Sequence, residues 1–125
     1  ADTDPTEAAR LLATHAVGPH HLSRLVLPSM RTQPRGDIVM ISSVATSNMS
    51  ATGAPYNMGK AAMEALALTL AKEERRHGIH VNIVCPGLVE TDMGVRLIQT
   101  DAVEALLRYR EQRRIAPRRA GENTR

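Results

Sequence analysis

A chain of 125 residues, 42% of them apolar, holds enough material for one small domain with a packed core. With two Tyr and neither Phe nor Trp, that core must be built from Leu, Val, Ile, Ala and Met. No apolar run approaches the roughly 18 residues of a membrane span, and the acidic, polar opening ADTDPTEAAR is unlike a secretory leader.

The net charge of +3 is unevenly placed, with seven arginines against two glutamates from Arg108 to Arg125. Lacking interleaved aromatics or a nucleic-acid module, residues 108–125 read as a basic helix end and linker, with no nucleic acid as partner. One cysteine, Cys85, excludes an internal disulfide. Its place at the end of an apolar run predicts a buried thiol, and a reducing, cytoplasmic setting suits it.

Residues Pro5 to Met30 read as a long helix, capped by Thr3 or Thr6, with Glu7 in its first turn. Leu12, Ala16, Leu22, Leu25, Val26 and Met30 give it an imperfect apolar face, and Gly18-Pro19 predicts a bend. Pro34 to Asp37 form a turn. The continuous apolar run Ile38–Ile41 suits a strand covered on both faces, as in a parallel sheet. Residues Ser42 to Ala54 read as a loop rich in Ser, Thr, Asn and Gly. Pro55 opens a helix that continues from Tyr56 to about Arg76 on strong helix formers. Gly78 ends it, and Ile79–Val84 reads as a second buried strand. Pro86-Gly87 turns the chain outward, and a weaker helix is expected over Asp101–Arg114. The order from strand to strand is a βαβ unit, and the fold class is α/β with part of a doubly wound parallel sheet.

The chemistry is concentrated in Ser43, Tyr56 and Lys60, spaced as Ser-x12-Tyr-x3-Lys. A hydroxyl, a phenol and an ammonium together move a proton to or from a carbonyl oxygen. Tyrosine ordinarily titrates near pH 10, too high for ready exchange at neutral pH. Lys60 falls one helical turn after Tyr56 and shares its face, where its charge favours the phenolate. Ser43, at a strand end, donates to the substrate oxygen and steadies a developing alkoxide. Taken singly, each is an ordinary surface or turn residue. His20, His21, His77 and His80 lack ligand spacing, so no metal is indicated.

GDIVMISS, YNMGKAAMEALALTLAKEE and GIHVNIVCPGLVETDM together resemble the short-chain dehydrogenase/reductase family. The last segment is also similar to the bacterial 3-oxoacyl-thioester reductases within it. Tyr-x3-Lys alone is a common pattern. Its combination with Ser43 and Pro86-Gly87-x3-Thr91 is specific, and the likeness covers nearly the whole chain. The resemblance implies a Rossmann-like domain of which residues 1–125 are the central and later part. Neither the N-terminal glycine-rich, cofactor-binding half nor the family's closing strand is found in the sequence.

What the resemblance implies is an NAD(P)-dependent oxidoreductase that transfers hydride between a nicotinamide and a carbonyl or secondary alcohol. Tyr56 is then the acid/base and Lys60 also bonds the nicotinamide ribose. Pro86, Gly87, Val89 and Thr91 contribute the cofactor loop. Met93 belongs to a variable substrate lid, with Val95, Leu97 and Ile98 as further apolar candidates. In place of the usual helix asparagine that holds a proton-path water, this sequence has His15. NADP is slightly favoured over NAD by the reductase-like segment. Helices 6–30 and 56–76 resemble the pair through which members form homodimers and homotetramers. The competing reading is a non-catalytic fragment or oligomerisation scaffold.

Overall fold

The computed structural model describes residues 3–49 and 51–89, all within one structural unit, Ala1–Val89. Thr91, Met93, the apolar lid candidates, the helix expected at 101–114 and the basic stretch 108–125 lie outside the described residues.

The first helical stretch has three parts. Helix α1 spans Pro5–Leu12, a π-helical turn spans Ala13–Val17, and α2 spans Gly18–Met30. Its cap is Asp4 rather than Thr3 or Thr6: the Asp4 carboxylate accepts from the Thr6 N–H at 2.9 Å, and Pro5 follows at the first helical position, where no donor is needed. The bend expected at Gly18-Pro19 takes the form of the π turn just before it. Pro19 has no N–H to give to a carbonyl one turn back, and the Gly18 N–H reaches the Ala13 carbonyl, five residues away.

Strands β1 (Gly36–Ile41) and β2 (Ile79–Val84) pair in parallel, from Gly36 opposite Ile79 to Ile41 opposite Val84. The long helix α4 (Ala54–Glu74) connects them, completing the βαβ unit. A 3-10 turn over Arg75–His77 leads to Gly78, which stops the helix at φ +70°. A Cβ there would stand 3.0 Å from the Pro34 carbonyl oxygen, so left-handed backbone and close approach both require glycine. The loop between β1 and α4 is less irregular than its composition suggests. It contains a short helix, α3 (Ala45–Asn48), closed by Met49 in left-handed backbone.

The core joins Leu27 of α2, Met40 of β1, Met63, Ala67 and Leu70 of α4, and Ile79 of β2. On a side chain the size of Ile79, full burial contributes about 1.5–3 kcal/mol. At the edge of this core Arg31 grips the buried Glu74 with two hydrogen bonds, one of 2.8 Å from Nε.

Two expectations fail here. The strands are not covered on both faces: Val39 and Ile41 are about half exposed, as is Val84. Alternate residues of β1 point to α4 and the core, and no described element covers the others. Cys85 is exposed rather than buried, because it lies just past the end of β2, where the chain leaves the sheet.

Candidate active site

The carboxyl ends of β1 and β2 bring the sequence candidates together. Backbone pairing continues past the strands: the Ser42 N–H donates to the Val84 carbonyl at 2.8 Å, and the Val44 N–H to the Pro86 carbonyl at 3.1 Å. Ser43 therefore sits between two bonds to the segment leaving β2. Gly87 lies beside Val44, the residue after Ser43, since a Cβ there would touch Val44 Cγ1 at 3.9 Å. Leu88 and Val89 continue from this loop with exposed side chains.

The Ser43 hydroxyl oxygen accepts from the Ala45 N–H at 3.1 Å. That bond occupies a lone pair and leaves the hydroxyl proton free to donate elsewhere. The Ser43 carbonyl accepts from Thr46 Oγ1 at 2.8 Å, which steadies the turn into α3.

Tyr56 and Lys60 stand on one face near the start of α4. The Lys60 ammonium lies 5.8 Å from the centre of the Tyr56 ring, within cation–π range. It also donates to the Ile41 carbonyl at 2.7 Å, tying α4 to the last residue of β1. Lys60 is 8% exposed and Tyr56 36%, so a buried charge lies behind a phenol open to solvent.

The π turn supplies the third side of this cluster. His15 meets the Tyr56 ring edge-on, with centroids 5.4 Å apart and an interplanar angle of 87°. Gly59 permits the approach: a Cβ there would stand 3.0 Å from His15 Cβ and 3.3 Å from the Leu11 carbonyl oxygen. Burial lowers the His15 pKa from the ordinary 6.5, and the positive charges of Lys60 and Arg10 lower it further. His15 is therefore a neutral imidazole at pH 7.

Tyr56 thus lies against both His15 and Lys60, Lys60 reaches Ile41 two residues before Ser43, and the residues flanking Ser43 bond the Val84–Pro86 segment, while Thr91 and Met93 lie outside the described residues. The sequence reading did not single out Glu64, one turn beyond Lys60 on α4. Its carboxylate accepts from Ser42 Oγ and, at 3.6 Å, from Cys85 Sγ. Its spacing of four from Lys60 was the available signal, but its partners follow the ends of two strands distant in sequence.

A dinucleotide fits this end of the sheet in part. A phenol, an ammonium and an exposed loop that leaves a strand suit the sugar and nicotinamide of such a molecule. The glycine-rich turn that would receive its phosphates is not in this sequence.

A family model described as short chain dehydrogenase matches residues 1–102. The chain is 35% identical over 92 residues to the uncharacterized oxidoreductase YmfI of Bacillus subtilis, covering 74% of this chain and 38% of that protein. Among solved structures, an NAD+-bound xylitol dehydrogenase superposes with a TM-score of 0.74 at 30% identity, covering 78% of this chain and 38% of that one. A gluconate 5-dehydrogenase from Burkholderia cenocepacia, in complex with NADP and tartrate, gives 0.77 at 27% identity, covering 87% and 43%. The chain spans less than half the length of each of these three.

Proposed function

The chain belongs to the short-chain dehydrogenase family, and from that premise we propose that it carries the proton-transfer half of an NAD- or NADP-dependent oxidoreductase acting on a carbonyl or secondary alcohol. The observation that carries this reading is the Lys60 ammonium, buried and 5.8 Å from the ring centre of a partly exposed Tyr56. Relatives in complex with NAD+ and with NADP support either dinucleotide as cofactor.

When bound, the nicotinamide supplies or accepts the hydride. The residues of this chain manage the oxygen of the substrate. Tyr56 gives its proton to that oxygen in reduction and takes it back in oxidation. Lys60 favours the phenolate that remains, through its charge in a site partly shielded from water. Ser43 donates its free hydroxyl proton to the same oxygen and holds the developing negative charge. His15, neutral and set against the Tyr56 ring, takes the place of the family's asparagine and passes protons between the site and solvent. Tyr56 and Lys60 hold the nicotinamide ribose, and Pro86, Gly87, Val89 and Thr91 frame the nicotinamide. Met93 contributes to the substrate pocket.

Exposed Leu25 on α2 and Leu68 on α4 suit assembly of copies through these helices. An exposed, unpaired Cys85 suits a reducing compartment such as the cytoplasm.

The test is Tyr56→Phe in the full-length protein that contains this chain. Turnover should fall by about a thousandfold, the middle of the range for one lost acid/base group, with dinucleotide affinity nearly unchanged. Turnover within tenfold of the parent would sink the assignment. A second reading, a non-catalytic assembly scaffold, draws on the exposed Leu25 and Leu68 of α2 and α4. It predicts no dinucleotide binding and an unchanged oligomeric state in Tyr56→Phe.

A further inference from the structure

Glu64 takes no part in the chemistry above, yet two segments of the site converge on its carboxylate. The residue before Ser43 is Ser42, 4% exposed, whose hydroxyl donates to Glu64 Oε1. The residue before Pro86-Gly87 is Cys85, whose thiol donates to the same oxygen at 3.6 Å. Glu64 itself stands on α4, one turn beyond Lys60.

The two strand ends are tied to each other by backbone bonds. Those bonds do nothing to set the strand ends against α4, which carries Tyr56 and Lys60. Lys60 reaches the Ile41 carbonyl, but it stops short of both loops. Glu64 reaches both. An ionised acceptor forms hydrogen bonds roughly twice as strong as a neutral one. These bonds, that from Ser42 foremost, lower the Glu64 pKa and keep it ionised near neutrality.

We infer that Glu64 is a positioning residue that sets Ser43 and the Pro86-Gly87 loop against Tyr56 and Lys60, acting through Ser42 and Cys85. This rests on the dehydrogenase reading of Ser43, Tyr56 and Lys60. The two arms have separate consequences. The Ser42 arm places the group that holds the substrate oxygen. The Cys85 arm places the loop that frames the nicotinamide.

The experiment uses the full-length protein, with NADH and NADPH titrations, steady-state kinetics on a panel of ketones, and hydrogen exchange over residues 42–46 and 84–88. Cys85→Ala should weaken dinucleotide binding several-fold with kcat little changed. Ser42→Ala should lower kcat about tenfold with binding unchanged, the size of one lost hydrogen bond to a charged acceptor. Glu64→Ala should do both and speed exchange in both segments, and Glu64→Gln, which keeps an acceptor oxygen, should recover much of the loss. Wild-type exchange in Glu64→Ala would overturn the proposal. If that variant does not fold, the single-arm variants decide: loss of kcat and of binding together in both would overturn it. Failure of the dehydrogenase reading looks different, as a wild-type protein that binds neither NADH nor NADPH, and the exchange measurement still tests the Glu64 tie.

Discussion

His15 shows how much one side chain's surroundings decide. It sits against Tyr56, with Lys60 and Arg10 as the nearby cations. Burial and those charges all disfavour the imidazolium, so the folded protein binds this proton less tightly than the unfolded chain does. As pH falls below 6.5, the unfolded state takes up a proton that the folded state resists, and this contribution to stability is lost. Protonation also places a second cation beside Lys60, where the proposed chemistry needs a single one. The acid limb of the pH–rate profile of the full-length protein should therefore reflect His15. His15→Asn, which cannot take up that proton, should move the limb to lower pH. An unchanged limb would remove His15 from the proton path.

Among the elements, α4 and the π turn approach closely where they build the site. A Cβ on Gly59 would crowd His15 Cβ at 3.0 Å and the Leu11 carbonyl oxygen at 3.3 Å, so one side must give by a few tenths of an ångström. Gly59→Ala should push the helices apart, destabilise the protein by about 1–3 kcal/mol and reduce turnover through the displaced Tyr56. Gly18 offers a contrast within the same helical stretch. Its φ is −58°, and a Cβ there would meet only the Ala13 carbonyl oxygen at 3.4 Å. Gly18→Ala should raise stability, by up to about 1 kcal/mol. Urea unfolding of the two variants checks both signs, and equal effects would mean that the close approach at Gly59 carries no energetic weight.

At the scale of the whole, the main physical constraint among the described residues is apolar surface along β1 that no described element covers. Val39 and Ile41 of β1, with Leu22 and Val26 of α2, border an apolar trough of about 310 Å³. Apolar surface of this kind associates in water. Residues 1–125 expressed alone should self-associate at micromolar concentration, and Val39→Lys with Val26→Lys should shift the material towards monomer. Sedimentation velocity reads this directly. A monomeric parent chain would show that the trough is covered by other means.

Much of this protein can be read along the chain because its cause is local. Pro55 opens α4 and Gly78 stops it. The apolar runs at 38–41 and 79–84 form the two strands, and a spacing of four puts Tyr56 and Lys60 on one helical face. The rest depends on segments far apart in sequence. The exposure of Cys85, the half-open strands, and the convergence of Ser42 and Cys85 on Glu64 arise only when β1, α4 and β2 meet. Local propensity sets where elements start and stop. Which side chains share a carboxylate or lose their water is set by tertiary packing, and no local pattern encodes it.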